Sequence, residues 1–427
     1  MSHTHLWIVS MFLSLLLLSL LGAVTEASWT QQYGDCSSTS YIPFKGTIDT
    51  EWRYLGPRAS LDNSKPHSPS VSMTNGNIYL GLQSRLLAIS SEGAVLREYD
   101  VQQRDAEYYL ETSNVVFSEK HQTVVVIAAG DTSDHEGGQE LTRISALDPS
   151  SGKVLWYKGD IKLIATNWLV LSEKQGLIYV IGLKGFSAID IKTGSIAWTQ
   201  QMPWSNLILM SPIFARVSDE LDLMLLPVVP GVNDGVLYAV NTANGKLLWK
   251  QTLGFSYDGS FVISPTNGVI YGCTGLFSDV SHGKDIIILN AKDGKILYSG
   301  AGHCSGNDTQ VMTPSVDNEG NGYYSCGNQI FSVKSGGELR WVSASYGSES
   351  LPPHIPVSIR PDGTLFYVTI NQTSILTLSH LDGSLIKSYT GSPGVMISQP
   401  PILLGDQYMY IVGLAQESTA YIYPMKQ

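Results

Sequence analysis

The side chains best suited to binding chemistry in this 427-residue chain are aromatic rings and imidazoles in the predicted connections between strand repeats. Rings that combine an apolar face with a polar atom stack on sugars and other flat ligands. We therefore predict a ligand-binding rim formed by these connections. The alternative is that the rings fill the space between neighbouring sheets or plug a central channel. The candidate residues are Tyr108, Trp168, Trp204, Tyr257, His303, Tyr346 and His354.

Acid–base catalysis is a second chemistry open to this rim, because histidine exchanges its proton near neutral pH. The candidates are His67, His135, His303 and His354. None of them has a partner at a fixed spacing. The sequence also lacks a nucleophile elbow, a Walker-type phosphate loop and a His-Glu-x-x-His motif. We therefore assign no catalytic residue and favour a binding role, with an extracellular enzyme as the alternative.

The longest acidic loop, residues 130–138, contains Asp131, Asp134, His135 and Glu136. Carboxylates at close spacing are typical calcium ligands, but this spacing does not match an EF-hand. Solvated acidic loops are common, so we predict no metal site.

A short phrase recurs along the chain and must position these residues. It reads Ser-Ala-Leu-Asp-Pro-Ser-Ser-Gly-Lys-Val-Leu-Trp at 145–156, and it returns at 187–198 and 238–249. An Asp or Asn opens such a turn and a Gly supplies the positive φ, so the phrase predicts a β-hairpin. The Trp that follows is expected to pack against the next sheet. Weaker copies extend the series, and its turn glycines are Gly93, Gly152, Gly194, Gly245, Gly294, Gly337 and Gly383.

Each repeat contains about four predicted strands, which is the size of one propeller blade. Seven complete units span roughly residues 68–392, and an eighth begins near residue 398 without an outer strand. A predicted strand near residues 47–55, which includes Trp52, is available to complete it. We therefore predict an all-β, eight-bladed propeller of four-stranded antiparallel blades, closed by pairing of its N-terminal and C-terminal strands. A seven-bladed ring is the alternative, if residues 398–427 are only a tail.

The pattern Ala-Leu-Asp-x-x-x-Gly-Lys-x-Leu-Trp resembles the repeat of the pyrroloquinoline-quinone-like (PQQ-like) propellers. That superfamily includes quinoprotein alcohol dehydrogenases and the bacterial outer-membrane assembly lipoprotein BamB. The dehydrogenases hold their quinone against a Trp under a disulfide between adjacent cysteines, with calcium beside it. This chain has no adjacent cysteines. It resembles BamB-like repeat proteins more than a quinone-dependent sugar or alcohol dehydrogenase, and we expect no cofactor.

The first 27 residues resemble a secretory signal. An apolar run at 12–21 is followed by Thr25 and Ala27, whose small side chains suit cleavage after Ala27. The alternative, an uncleaved anchor, needs about 20 apolar residues, and this run is short for that. We predict a single propeller domain over 28–427 that is secreted or lies in the lumen of the secretory pathway.

Oxidising compartments favour disulfides and glycosylation. Either Cys273 or Cys326 could pair with Cys304 and leave the other for Cys36, with buried thiols as the alternative. The glycosylation candidates are Asn307 and Asn371.

The net charge is −11, and the lysines and arginines are scattered through the sequence. Nucleic-acid binding needs a concentrated basic face. We expect a protein or carbohydrate ligand, no nucleic acid, no stable membrane insertion after signal cleavage, and a monomer.

Overall fold

The structure, a computed structural model, contains β-strands joined by turns and no helix over the part of the chain that it describes. The described residues are 41–42, 54–55, 70–71, 77–82, 85–90, 94–100, 111–130, 141–159, 168–181, 185–201, 216–228, 235–253, 261–264, 266–274, 285–301, 303, 314–326, 329–346, 357–360, 362–368, 374–390, 395–397, 402–404, 408–415 and 420–426. Within them, 34 strands form eight sheets.

Two short strands precede the repeats, β1 (Tyr41–Ile42) and β2 (Tyr54–Leu55). Sheets 1 to 7 follow along the chain, and in each of them four strands pair antiparallel in chain order. Sheet 1 contains β3 (Ser70–Val71), β4 (Ile78–Leu82), β5 (Arg85–Ile89) and β6 (Val95–Asp100). Sheet 2 contains β7 (Glu111–Ser118), β8 (Thr123–Gly130), β9 (Leu141–Leu147) and β10 (Val154–Lys158). Sheet 3 contains β11 (Trp168–Ser172), β12 (Leu177–Ile181), β13 (Gly185–Asp190) and β14 (Ile196–Gln201).

Sheets 4 to 7 repeat the same arrangement. Sheet 4 contains β15 (Arg216–Ser218), β16 (Leu223–Val228), β17 (Val236–Asn241) and β18 (Leu247–Thr252), and sheet 5 contains β19 (Val262–Ile263), β20 (Val269–Thr274), β21 (Asp285–Asn290) and β22 (Ile296–Ala301). Sheet 6 contains β23 (Ser315–Val316), β24 (Gly322–Cys326), β25 (Gln329–Val333) and β26 (Leu339–Val342). Sheet 7 contains β27 (Ser358–Ile359), β28 (Leu365–Val368), β29 (Ser374–Leu378) and β30 (Leu385–Thr390).

Sheet 8 combines strands from both ends of the sequence. Its C-terminal strands are β31 (Val395–Ile397), β32 (Ile402–Leu404), β33 (Tyr408–Ala415) and β34 (Ala420–Lys426). The early strand β2 pairs antiparallel with β34, with Leu55 opposite Tyr421, and takes the outer position. The strand β1 pairs parallel with β32 at the other edge, which the repeat pattern did not predict.

The core lies between neighbouring sheets. The middle strands of a sheet are buried on both faces, so apolar residues occupy consecutive positions in them and do not alternate with polar ones. In β12 and β16, for example, every residue is buried. One hydrophobic cluster joins Leu225 and Leu237 of sheet 4 to Ile263 and Ile287 of sheet 5. The first strands of sheets 2 to 7 also contact one another in succession. The sheets are therefore packed face to face in chain order.

The outer strands differ from the others because each contains a β-bulge at the residue before the Trp position. In sheet 2, for example, Val154 and Trp156 pair with consecutive residues of β9, which leaves Leu155 without a paired residue. A bulge interrupts the hydrogen-bond ladder and twists the strand, so these edges are poor templates for another strand. The equivalent bulge residues are Leu96, Leu155, Ala197, Leu248, Leu297, Arg340 and Ile386.

Candidate functional site

The predicted hairpin turns between the third and fourth strands are present. In sheet 3, Oδ1 of Asp190 accepts the backbone N–H groups of Lys192 at 3.0 Å and Thr193 at 2.8 Å. The turn glycine, Gly194, has a φ of 69°. This is the Asx turn with a left-handed Gly that the repeated phrase predicts. Five other turn glycines also have positive φ: Gly152, Gly245, Gly294, Gly337 and Gly383. Gly93 lies outside the described residues.

The carboxylates of these turns are held in their charged form. At Asp148, the hydroxyl of Ser150 and the backbone N–H groups of Ser151 and Ser150 donate hydrogen bonds that lower the pKa. At Asp382, the N–H and hydroxyl of Ser384 lower the pKa in the same way. Hydrogen bonds to the charged form favour ionisation.

Each of the six described hairpin-turn glycines is covered by an aromatic ring from the preceding sheet. A Cβ atom added to Gly294 would lie 2.5 Å from the indole of Trp249, so only glycine fits. The indole Nε1 of Trp249 also donates to the carbonyl oxygen of Ala291 at 2.8 Å. The prediction that the repeated Trp packs against the next sheet is therefore confirmed. The same hydrogen bond recurs in two other sheets. The indole Nε1 of Trp156 donates to the carbonyl oxygen of Ile191 at 2.7 Å, and that of Trp341 donates to the carbonyl oxygen of His380 at 2.8 Å.

The contact between sheets 1 and 2 uses a different residue. The sequence has Arg97 at the Trp position, but the ring that covers Gly152 belongs to Tyr99. Its hydroxyl donates to the carbonyl oxygen of Pro149 at 3.4 Å, the position that accepts the indole in other sheets. Residues two apart lie on the same face of a strand. That spacing is the signal that could have identified Tyr99.

The contact between sheets 3 and 4 lacks the indole hydrogen bond. Trp198 covers Gly245, but its Nε1 is buried and has no hydrogen-bond partner within the described part of the chain. The carbonyl oxygen of Thr242, which occupies the accepting position, instead receives the hydroxyl of Tyr179 at 3.0 Å.

The turns between the first and second strands of each sheet, which we call the inner turns, lie at the same end of the sheets as the hairpin turns. Carboxylates in these inner turns join adjacent sheets. Oε2 of Glu173 accepts the hydroxyl of Ser118 at 2.8 Å, which links sheets 3 and 2. Asp219 accepts the hydroxyl of Ser172 and so links sheets 4 and 3. The pKa of the nearby His121 is lowered, mainly by burial, and its Nε2 is buried without a hydrogen-bond partner among described residues.

His303 is one of two predicted ligand residues whose side chains the structure describes. It follows β22, at the strand end opposite the hairpin turns. Its half-buried ring meets Phe331 edge-on, with 5.6 Å between ring centroids. Its Nε2 is buried and has no hydrogen-bond partner in the described residues. Within the described residues, His303 therefore has an unpaired nitrogen in the region predicted to bind a ligand.

Tyr346, the other such residue, is half-buried against the apolar cluster between sheets 6 and 7. Its hydroxyl donates to the carbonyl oxygen of Gly383 at 3.2 Å, and burial raises its pKa. This environment agrees with the space-filling alternative. Trp168 begins β11, but its side chain is not described. The candidates outside the described residues are Tyr108, Trp204, Tyr257, His354, His67, His135, Cys36, Cys304, Asn307 and Asn371.

Cys273 is a buried thiol in the core between sheets 5 and 6, beside Tyr324, whose pKa is raised by burial. Cys326 ends β24, and its side chain is not described. No disulfide is present among the described residues, and the predicted pairing stays a prediction. Over the same residues, no group of three or more His, Cys, Asp or Glu is placed to hold a metal ion. None of the described segments forms a helix that is long and apolar enough to cross a membrane.

A family model described as outer membrane protein assembly factor BamB matches residues 140–389, which is more than half of the chain. The chain belongs to this PQQ-like repeat family. A search of curated protein sequences gave no match.

Solved structures share the β-propeller fold of this PQQ-like repeat protein at low identity. BamB from Moraxella catarrhalis is 11% identical, with a TM-score of 0.55 over 88% of this chain and 99% of the other. Quinohemoprotein alcohol dehydrogenase ADHIIG from Pseudomonas putida HK5 is 12% identical, with a TM-score of 0.59 over 95% and 81%. The computationally designed Ika8 protein is 14% identical, with a TM-score of 0.58 over 90% and 99%. These likenesses concern the fold alone.

A quinone centre of the dehydrogenase type does not fit this PQQ-like repeat protein. Such a centre uses a disulfide between adjacent cysteines as a lid, and the four cysteines here are far apart in the sequence. Cys273 is 3% exposed and faces the core between two sheets, so its sulfur is not available to a ligand at a channel mouth.

Proposed function

We propose that the eight sheets are eight blades of a ring, closed by the pairing of β2 with β34, and that the ring is a binding scaffold for a protein or glycan. The rim formed by the connections between blades would hold the ligand. The inter-sheet contacts support a rigid scaffold, because each described turn glycine receives a ring from the preceding sheet. Rigid scaffolds with variable loops are a common way to carry binding residues.

The unmet hydrogen bond of His303 carries the binding proposal. A buried polar atom without a partner is unfavourable by about 1–3 kcal/mol. Ligand binding that moved the adjacent connection and brought a hydroxyl or amide group to Nε2 would recover this energy. The family match to a protein assembly factor supports a protein as the first choice of ligand.

The test compares two histidines with the same kind of buried nitrogen at opposite ends of the sheets. His303→Phe and His121→Phe are purified with the wild-type protein and applied to arrayed glycans and to extracts of secreted proteins. We expect the wild type and His121→Phe to retain a common ligand, and His303→Phe to bind it at least about tenfold more weakly. Equal binding by both variants at unchanged thermal stability would contradict the proposal.

The alternative function is a quinone-dependent dehydrogenase. Reconstitution with PQQ and calcium, followed by dye reduction with alcohols or aldose sugars, tests it directly. The scaffold proposal predicts no cofactor absorbance and no turnover. Turnover that depends on both additions would replace the scaffold proposal with the enzymatic one.

We also propose secretion with cleavage after Ala27. The mature protein would then begin at Ser28 and carry sugar on Asn307 or Asn371. N-terminal sequencing of protein from the medium, with a gel shift after glycosidase treatment, tests both points. Retention of the full chain in cell membranes would contradict secretion.

A further inference from the structure

Exposed aliphatic side chains recur at the start of the outer strands. Leu247 and Leu248 in sheet 4 are 54% and 50% exposed, and Ile296 and Leu297 in sheet 5 are 45% and 47% exposed. A single exposed aliphatic residue needs no explanation. Equivalent pairs are exposed in sheets 1, 2 and 7, and in sheets 4 and 5 they lie at the same position of two sheets that pack together. Exposed apolar area that recurs in this way is typical of an interaction site. We call the four residues of sheets 4 and 5 the aliphatic belt.

Lysines flank the aliphatic belt. Lys246 and Lys295 directly precede the two pairs, and Lys250 and Lys292 lie nearby in sequence; all four are exposed. Within the turns and outer strands of these two hairpins, residues 241–252 and 290–301, the only acidic residue is Asp293, which is 3.4 Å from Lys295 in a surface ion pair of small energetic value. The whole chain carries a net charge of −11, so this basic region runs against the overall charge.

The backbone indicates how a partner would bind here. Leu248 and Leu297 are the bulge residues of their strands, so the pairing of each outer strand with its neighbour is interrupted within the belt, and the free edge is twisted there. A partner cannot simply extend these sheets as another strand. Recognition would therefore use side chains, with apolar groups against the leucines and isoleucine and carboxylates against the lysines.

A flat anionic bilayer fits this end of the molecule less well. The inner turns point to the same end as the hairpin turns, because neighbouring strands alternate in direction. The inner turns of sheets 3 and 4 contain Glu173, Asp219, Glu220 and Asp222, of which Asp222 forms an ion pair with Lys174. Pressing them against anionic lipid would bring like charges together. A polypeptide that runs along the outer strands would avoid them.

We propose that the aliphatic belt of sheets 4 and 5 binds an acidic, aliphatic-rich polypeptide segment of a partner protein. This surface begins at the hairpin-turn end of the outer strands, whereas His303 follows an outer strand at its other end. The belt is therefore a second site and does not depend on the rim proposed above.

The test selects peptides from a displayed random library on the wild-type protein. We expect acidic peptides with several Leu, Ile or Val residues to be enriched. The affinity of these peptides should fall at least about tenfold for the double variant Leu247→Ser with Leu297→Ser. A similar fall is expected for the double variant Lys246→Glu with Lys295→Glu. Binding should weaken between low and high salt, because exposed charges are screened. Leu381→Ser, at a 71% exposed leucine in the turn of sheet 7, is the matched control and should bind normally.

Failure to enrich acidic peptides, or equal binding by the belt variants, would overturn the proposal. Vesicles of phosphatidylcholine with about one third phosphatidylserine form a second arm. Binding of these vesicles that the belt variants abolish, without peptide binding, would overturn it in favour of a membrane. Normal unfolding of each variant is expected, since all substituted side chains are exposed. The His303→Phe protein should bind the selected peptides normally, so failure of the rim proposal is distinguishable from failure of this one.

Discussion

The contact between sheets 4 and 5 and the contact between sheets 3 and 4 use the same parts but differ in one hydrogen bond. Both place a Trp over a turn glycine of the next sheet. Trp249 also donates to a carbonyl oxygen of that turn, whereas Nε1 of Trp198 has no partner among the described residues, and the equivalent carbonyl oxygen accepts the hydroxyl of Tyr179. The fit of ring on glycine is therefore the constant element, and the indole hydrogen bond is an addition to it.

The contact between sheets 1 and 2 extends this conclusion. There the ring comes from Tyr99, two residues beyond the Trp position, yet it covers Gly152 and bonds the equivalent carbonyl group. In sheet 5, Tyr298 covers Gly337 from the Trp position itself. The residue that supplies the ring varies, while the glycine does not.

The largest effect is expected from adding a methyl group to the turn glycine. Gly294→Ala should destabilise the fold by about 3 kcal/mol, because the left-handed backbone is strained for alanine and the new Cβ would overlap Trp249. Gly268→Ala is the control, since Gly268 has a φ of 64° but no atom within 4 Å of the added Cβ. It should destabilise by only about 1–2 kcal/mol in denaturant unfolding. Equal losses would show that the ring contributes nothing to the glycine requirement.

Removing the ring from the variant contact should have the next largest effect. Tyr99→Ala is expected to destabilise the fold by about 3 kcal/mol, because Tyr99 is buried over Gly152. Arg97→Ala, at the exposed Trp position of the same strand, should change stability by less than about 0.5 kcal/mol. The reverse ranking would assign the contact to Arg97. Chemical unfolding monitored by fluorescence measures both.

Replacing an indole by a phenyl ring isolates the hydrogen bond. Trp249→Phe should destabilise by about 1 kcal/mol more than Trp198→Phe, because only Trp249 donates to a carbonyl group. Both rings pack on equivalent glycines, and Trp198 also contacts the rings of Tyr179 and Phe186, which a phenylalanine would largely keep. Identical unfolding free energies for the two variants would mean that the hydrogen bond adds no stability.

The smallest effect concerns pH. Folding lowers the pKa values of Asp148 and Asp382, so both carboxylates stabilise the folded state above their unfolded pKa of about 3.9. This contribution is lost as the pH falls through the lower folded values. Asp148→Asn with Asp382→Asn should therefore lose less stability than the wild type between pH 5 and pH 3, since asparagine accepts the same N–H groups without titrating. Thermal unfolding at several pH values checks this, and parallel losses would contradict it.

The local parts of the fold could be predicted from the sequence, and the contacts between sheets only in part. The turn glycines and the packing of Trp follow from short-range patterns with a simple backbone cause. The substitution by Tyr99 and the loss of the Trp198 hydrogen bond depend on side chains from two sheets, which spacing does not reveal. The parallel pairing of β1 joins residues more than 350 positions apart and leaves no local signal.

The candidate site was harder to predict than the fold. The repeat pattern identified the connections between sheets. It did not reveal which of their aromatic and imidazole side chains form hydrogen bonds within the protein. Tyr346 is held by Gly383, whereas Nε2 of His303 is left without a partner among the described residues. The aliphatic belt escaped the sequence analysis because consecutive apolar residues in a strand predict burial, and their exposure follows only from the outer position of the strand and from the bulge.

Closure of the ring is the central claim, and a cross-link between the two ends tests it most directly. Leu55 lies opposite Tyr421 in the pairing of β2 with β34, so Leu55→Cys with Tyr421→Cys should form a disulfide under mild oxidation. Leu55→Cys with Met425→Cys, four residues out of register, is the control. The account predicts that mass spectrometry finds a linked 55–421 peptide and that the cross-linked variant is more stable than its reduced form. The control variant should show no linkage. Absence of that linked peptide, or equal linkage in both variants, would contradict the closed ring.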